Sequence, residues 1–254
     1  MTPEDSPETA KGADRAGAVS ISVFFPCYNE QDNVGRTTEQ AHSVLENLGA
    51  DFEIIIVDDG SRDATGRIAD EIAARQKRIR VVHHPVNLGY GAALQSGFKS
   101  STKKLVFYTD GDGQFDIGEM PALLPLMERY DIVSCYRINR QDNLIRKINA
   151  WCWTKLVCLL FNMKVRDIDC AFKLYKREIF DNIELVSSGA LIDAEILARA
   201  VRRGYTITQQ GVHHYPRQAG KQTGANIRVI LRAFRELFKL YQRIRREAAH
   251  RRNP

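Results

Sequence analysis

Between Val19 and Cys135 the chain alternates short apolar runs with helix-length stretches, and this alternation limits the possible folds more than any other feature. The runs are Val19 to Phe25, Phe52 to Val57, Ile79 to His83, Leu105 to Tyr108 and Ile132 to Cys135. Helices are expected from about Asp32 to Leu48, Asp63 to Gln76, Asn87 to Lys99 and Glu119 to Glu128. A run such as Phe-Glu-Ile-Ile-Ile-Val is apolar almost throughout, as a strand buried on both faces must be. Strand and helix in strict turn predict an α/β fold: a mostly parallel central sheet covered by helices on both faces.

The first, second and fourth runs each end in acids or amides: Asn29 and Glu30, Asp58 and Asp59, Asp110 and Asp112. Strand ends of one parallel sheet share an edge, so five carboxylates and an amide are expected in one crevice. Like charges at close quarters are costly unless a cation or hydrogen-bond donors sit between them. Ligands of open α/β sheets bind at that edge.

The stretch after Tyr108 is the most specific. Asp110, Asp112 and Gln114 alternate with Gly111 and Gly113, which let the backbone turn and approach a ligand. Two carboxylates and an amide oxygen so spaced suit one hard cation, Mg²⁺ or Mn²⁺, with positions left for phosphate oxygens. An isolated Asp-Gly-Asp-Gly more often only makes turns; its place at a strand end favours the cation. Two other nucleotide folds fail on residues. Gly89-Tyr90-Gly91 opens a helix, but the third glycine of a dinucleotide fingerprint falls at Leu94, and the loop follows the third strand. No phosphate-cradling GxxxxGK-S/T is present.

Composition is that of a soluble globular protein, 44% hydrophobic and 27% charged. Five cysteines, Cys27, Cys135, Cys152, Cys158 and Cys170, lack metal-ligand spacing and read as reduced thiols in a cytoplasmic protein. Met1 to Ala18 has no apolar core and reads as a disordered tail. The most apolar stretch, Ala150 to Val165, is broken by Lys155 and Lys164, so no membrane span is expected. The net charge of +6 is local: the segment from Asn226 carries nine Lys/Arg against two acids, which leaves the remainder at −1. No nucleic-acid partner is expected.

Pro26-Cys27-Tyr28-Asn29-Glu30, Val57-Asp58-Asp59-Gly60-Ser61-Arg62-Asp63-Ala64-Thr65, Asn87-Leu88-Gly89-Tyr90-Gly91 and Asp110-Gly111-Asp112-Gly113-Gln114 occur in that order. Together they resemble the inverting GT-A glycosyltransferases of family 2. Within these the chain looks like the polyprenyl-phosphate sugar transferases, the dolichol-phosphate mannosyltransferase-like group, over roughly Val19 to Gly224. The resemblance implies a GT-A domain over 19–225 and a nucleoside pocket lined by Pro26, Tyr28, Glu30 and Asp58, with Asp59 beside them. It implies a cation, Mg²⁺ or Mn²⁺, held by Asp110, Asp112 and Gln114 on the donor diphosphate. Arg137, Arg146 and Arg217 match arginines that contact acceptor or donor phosphate. The segment Val165 to Lys173 matches one usually written D-x-T-S-G-F-R/K, with Asp169 and Ala171 where Thr and Gly are common. A family serine four residues after Arg146 is Ala150 here.

The expected reaction moves a sugar from a UDP- or GDP-linked donor to a polyprenyl phosphate, with inversion. An acceptor phosphate is already ionised near neutral pH, its second pKa being about 6, so it needs positioning more than deprotonation. Asp112 and Arg217 are the leading catalytic candidates. Asp193 or Glu195 is a candidate general base if the acceptor is a hydroxyl; with a phosphate acceptor they would orient the sugar or a nearby loop. His213 and His214 have no third ligand at metal spacing and read as ordinary polar residues. The rivals are a family-2 transferase acting on a glycan or small-molecule hydroxyl, and a non-catalytic nucleotide-sugar-binding scaffold.

Two apolar helices complete the chain. Asn143 to Phe161 carries Leu144, Ile148, Trp151, Trp153, Leu156 and Phe161, and in the resembling group this region lies near membrane and acceptor. From 226 to 254 an amphipathic helix is expected, with Ile227, Ile230, Leu231, Phe234, Leu237, Phe238, Tyr241 and Ile244 on one face and cations over much of the rest. It suits either a membrane interface or packing on the domain. Peripheral attachment to the cytoplasmic membrane face, or to a small membrane protein partner, is the expectation.

Overall fold

The computed structural model describes residues 18–138, 144–217 and 227–250, with side chains for all of these except 144–146, 227–233 and 248–250. The expected tail therefore lies, apart from Ala18, outside the described residues.

The first half follows the alternation. Strand β1 (Ser20–Cys27) leads to helix α1 (Val34–Asn47), β2 (Asp51–Asp58) to α2 (Thr65–Arg75), and β3 (Ile79–His83) to α3 (Tyr90–Ser100). Strand β4 (Leu105–Thr109) then runs into the Asp110 loop. Ile54, Ile55, Ile56 and Val57 of β2 are all fully buried, which explains why that run does not alternate. Helix α1 turns Val34, Ala41 and Leu45 inward, and α3 lays Gly97 directly on the Phe24 ring, where a Cβ would lie 2.2 Å from a ring carbon.

After the Asp110 loop the chain departs from expectation. Ile117–Glu128 forms a run of 3-10 turns rather than an α-helix. Pro121 and Pro125 lie inside it, and each removes an N–H donor and crowds the preceding turn. Strands β5 (Ile132–Ser134) and β6 (Tyr136–Ile138) follow, then α4 (Leu144–Phe161), β7 (Phe172–Lys176), α5 (Glu178–Asn182) and α6 (Ile192–Arg202). The last described elements are β8 (Ile207–Thr208), β9 (Gly211–His213) and α7 (Ile227–His250).

Seven strands form one sheet in the order β3-β2-β1-β4-β7-β5-β8. Strand β7 is inserted antiparallel between β4 and β5, pairing Phe107 with Leu174 on one side and Val133 with Leu174 on the other. It is the one reversed strand, so β5 still points the same way as β1, β2 and β4. The core is aromatic at its centre: Phe24, Tyr108 and Tyr175 stack in sequence, with Phe98 and Phe180 set on them. Strands β6 and β9 pair parallel as a separate small sheet, which delivers His214 to Arg217 to the crevice.

Helix α7 splits its apolar stripe. Leu237, Leu240 and Ile244 are buried against the domain, whereas Phe234 and Phe238 stay exposed. Helix α4 meets it edge to face, Trp153 on Phe234 and Phe161 on Tyr241, while Ile148, Trp151 and Leu159 of α4 face outward. Among the described residues no helix is long and apolar enough to cross a membrane.

Candidate active site

The carboxyl ends of β1, β2 and β4 lie side by side, Cys27 in register with Asp58 and Phe24 with Tyr108. They bring Glu30, Asp58, Asp59, Asp110 and Asp112 to one edge, all but Asp110 and Asp112 nearly or wholly buried there by their own partners. The Asp110 loop fits tightly under β1: a Cβ on Gly111 would lie 2.7 Å from Cys27 Sγ and 2.9 Å from the Pro26 carbonyl. Gly113 takes φ +71°, a left-handed conformation that glycine adopts without strain.

Asp110 accepts a hydrogen bond from the Tyr90 hydroxyl at 3.1 Å. Burial first, and then the Asp112 charge, push its carboxyl up to about 8. Burial also raises Asp112, opposed by the Gln114 amide and the Arg217 guanidinium. Arg217 Nη1 lies 3.7 Å from Asp112 Oδ2, and its Nη2 donates to Glu30 Oε1. The other Glu30 oxygen accepts from Asn33 at 2.7 Å. Gln114 fastens the Arg217 segment to the loop twice, donating from Nε2 to the Tyr215 carbonyl at 3.0 Å and accepting the Tyr215 N–H at 2.9 Å.

This donor set fits a hard divalent cation. Burial raises both carboxylates, a cost that a bound cation would relieve, and the Gln114 amide oxygen is not consumed by the bond its nitrogen makes. Among the described residues no three His, Cys, Asp or Glu side chains converge as a closed metal cage. A cation here would draw further ligands from Gln114 and from substrate oxygens.

The second acid pair is occupied within the protein. Asp58 accepts the Ser61 N–H at 3.1 Å and faces His83 Nδ1 at 3.0 Å. Asp59 takes the Leu88 N–H at 2.9 Å, the Gly89 N–H at 3.0 Å and His84 Nδ1 at 2.6 Å, so it shapes the loop that opens α3. Of the expected nucleoside-pocket residues, Tyr28 offers an exposed ring and Pro26 is half-buried beside it. Asn29, in a left-handed turn at φ 57°, ties the first loop to the second through Ser61 and Arg62.

The residues from the second half divide. Arg137 is clamped by Asp167 in a bidentate pair, Nε at 2.7 Å and Nη2 at 2.8 Å. The side chain of Arg146 lies outside the described residues. Asp193 is buried against Lys173 Nζ at 2.7 Å and the Tyr108 hydroxyl. Lys173, itself fully buried, also donates to the Ile168 and Cys170 carbonyls. Glu195 is fully buried and accepts the Val186 and Ser187 N–H groups and Arg199 Nε. Both oxygens of Glu195 are taken up by these donors, whereas the bonds to Asp193 from Lys173 and Tyr108 both fall on Oδ1. His213 bonds Glu119, and His214 packs on Phe115.

Sequence reading passed over His83, His84, Tyr90, Lys173 and Arg199. The histidines had a signal: Asp58 is in register with His83, so a two-acid end of β2 meets a two-histidine end of β3. Lys173 stood only as the last position of the Val165 to Lys173 segment, with no role, and Arg199 gave no signal, because a buried lysine or arginine is understood only once its carboxylate partner is placed.

A family model described as "Glycosyl transferase family 2" matches residues 22–184. Dodecaprenyl-phosphate galacturonate synthase of Rhizobium johnstonii is 30% identical over 211 residues, covering 82% of this chain and 62% of that protein. Undecaprenyl-phosphate 4-deoxy-4-formamido-L-arabinose transferase of Klebsiella pneumoniae is 34% identical over 164 residues, covering 63% of this chain and 50% of that protein. The chain thus spans only part of the length of these relatives. Glucosyl-3-phosphoglycerate synthase from Mycobacterium tuberculosis, solved with Mn²⁺, UDP and phosphoglyceric acid, has the same fold at a TM-score of 0.64 and 21% identity, over 81% of this chain and 72% of that one. The chain belongs to glycosyl transferase family 2.

Proposed function

We propose that this chain transfers a sugar from a UDP- or GDP-linked donor to a polyprenyl phosphate, with inversion, on the cytoplasmic face of a membrane. The observation that carries it is the placement of Arg217, bonded to Glu30 and beside Asp112, at the edge where burial raises both Asp110 and Asp112. Names of relatives support the acceptor class: the Rhizobium protein is a dodecaprenyl-phosphate galacturonate synthase and the Klebsiella protein an undecaprenyl-phosphate 4-deoxy-4-formamido-L-arabinose transferase.

Asp110, Asp112 and Gln114 would hold Mg²⁺ or Mn²⁺, which stabilises negative charge on the departing diphosphate. The chain's own residues do the rest. Tyr28 presents its ring to the base and Pro26 supports it, while Glu30 and Asp58 line that end of the crevice. Arg217 gives up its internal partners to an anionic oxygen and orients it. The acceptor phosphate forms the new bond at the anomeric carbon as the bond to the diphosphate breaks. Because that phosphate is already ionised, no protein base is required. The internal partners on both oxygens of Glu195 favour this reading over Glu195 acting as base for a hydroxyl acceptor. Exposed Ile148, Trp151 and Leu159 of α4 and Phe234 and Phe238 of α7, with cations around them, are the surface offered to lipid.

The test is a panel of UDP- and GDP-sugars with Mn²⁺, read first as thermal shift and then as transfer to polyprenyl phosphate. Metal-dependent stabilisation by one donor followed by acceptor-dependent turnover is expected. Donor binding with transfer only to hydroxyl acceptors would overturn the acceptor assignment, and no donor binding at all would overturn the reading.

A further inference from the structure

Helix α7 touches the segment before α6 at several points that the transfer chemistry does not use. Arg243 lies 3.7 Å from Glu184, and a Cβ on Gly189 would come within 3.5 Å of Glu236 Oε2. The strongest link is Glu247, which grips both terminal nitrogens of Arg199 at 2.6 and 3.3 Å. Arg199 in turn donates Nε to Glu195 at 2.7 Å, one helical turn earlier on α6. Glu195 fastens the loop before α6 by its backbone, taking the Ser187 N–H at 2.7 Å and the Val186 N–H at 3.1 Å.

That loop presses on the start of α3. The Ser188 carbonyl accepts the Gly91 N–H at 2.9 Å, and the Ser187 carbonyl accepts Gln95 Nε2 at 2.9 Å. The contact is close enough to demand glycine: a Cβ on Gly91 would lie 2.5 Å from the Ser187 carbonyl oxygen, and one on Gly89 2.9 Å from that of Ser188. Residues 87–91 are therefore held between Asp59 on one side and the 186–189 loop on the other. Tyr90, which bonds Asp110, sits inside this clasp.

We propose that Glu247, Arg199 and Glu195 are positioning residues through which α7 holds the 186–189 loop against the 87–91 loop, and thereby sets affinity for the nucleoside diphosphate of the donor. This rests on the donor reading given above. A buried carboxylate that loses its arginine partner is left uncompensated, so weakening either end of the relay loosens the loop that Glu195 anchors.

The test uses the full chain with Glu247→Ala, Glu247→Gln and Arg199→Met, probed by hydrogen exchange without ligand and by calorimetric binding of UDP and GDP with Mn²⁺. Glu247 is 40% exposed at its side chain, so its variants should fold even if Arg199→Met does not. In Glu247→Ala, exchange at the Ser187 and Gly91 amides should quicken about tenfold through local opening while β1 and β2 stay protected. Nucleotide affinity should fall about tenfold, in the range of ordinary site-to-site coupling, with Glu247→Gln between it and the wild type. Unchanged exchange at those amides, or a uniform increase across the sheet, would overturn the relay. If the wild type binds neither nucleotide, the donor reading fails, and exchange at Gly91 alone still decides whether α7 governs that loop.

Discussion

Tyr90 holds Asp110 through a single hydrogen bond from its hydroxyl, 3.1 Å long, across from the first turn of α3 to the end of β4. That bond stabilises the carboxylate, whereas burial and the Asp112 charge push its pKa up to about 8. A cation must therefore displace a proton below that pH, so Mn²⁺ affinity should rise as pH climbs from 6 to 8. Tyr90→Phe removes the one hydrogen bond that opposes the upward shift. Its Mn²⁺ affinity should be lower at pH 7, by about tenfold as for other residues that orient metal ligands, and should recover at higher pH. Titration of Mn²⁺ by electron paramagnetic resonance checks this without turnover; an unchanged pH profile would show that Tyr90 only packs.

Asp112→Ala should abolish Mn²⁺-dependent nucleotide binding and transfer while the protein remains folded. Asp112 caps the Gln114 N–H at 3.1 Å and is one of the two carboxylates expected to hold the cation. Loss of one of two charged ligands should weaken the cation about 100-fold or more, at least the upper end of what outer partners contribute. Calorimetry with and without Mn²⁺ measures it. A folded Asp112→Ala protein with undiminished transfer would sink the metal assignment.

Arg217→Ala separates phosphate positioning from cation binding, because the two respond with opposite sign. Removing the guanidinium takes a cation away from Glu30 and Asp112, so Mn²⁺ should bind at least as well as before. Transfer to polyprenyl phosphate should fall by about 2–5 kcal/mol of transition-state stabilisation, the usual cost of truncating one partner of a desolvated charge pair. Steady-state transfer measured beside Mn²⁺ titration distinguishes the outcomes. Equal losses in both would assign Arg217 to the donor loop or the fold.

What the sequence made legible was whatever rests on period and local residue type. The first four strands and three helices, and the Asp110 loop at a strand end, follow from apolar runs and from what terminates them. The 3-10 segment was legible too, in Pro121 and Pro125, but an apolar pattern taken alone reads as a helix. The insertion of β7 between β4 and β5 was not, because it pairs Phe107 and Val133 with a residue far along the chain. Burial partners were equally hidden: Asp59 looks like a ligand-binding acid in sequence, yet both its oxygens close the Leu88–Gly89 turn. Glu195 likewise reads as a catalytic carboxylate until Ser187 and Arg199 are seen on it.

Helix α7 shows why an apolar stripe alone does not name its partner. Leu237, Leu240 and Ile244 are between 2% and 4% exposed, so part of the stripe belongs to the core of the domain. Deleting the helix would therefore lower stability as well as remove a membrane contact, and a truncation could not tell one from the other. Point variants can. Leu240→Ala should destabilise the fold by about 2–5 kcal/mol, as other buried leucines do, and change vesicle binding little once folded. Phe234→Ser with Phe238→Ser should leave the melting temperature near that of the wild type, since these rings are 46% and 62% exposed. The same pair should weaken sedimentation with anionic vesicles, because each ring removed takes about 1.5–3 kcal/mol of apolar burial with it at full insertion. Added salt should weaken wild-type binding further, each cation near an anionic surface contributing about 1 kcal/mol at low ionic strength. If both Phe variants bind vesicles as the wild type does, the lipid contact lies on α4, where Trp151 and Leu159 are 60% and 80% exposed.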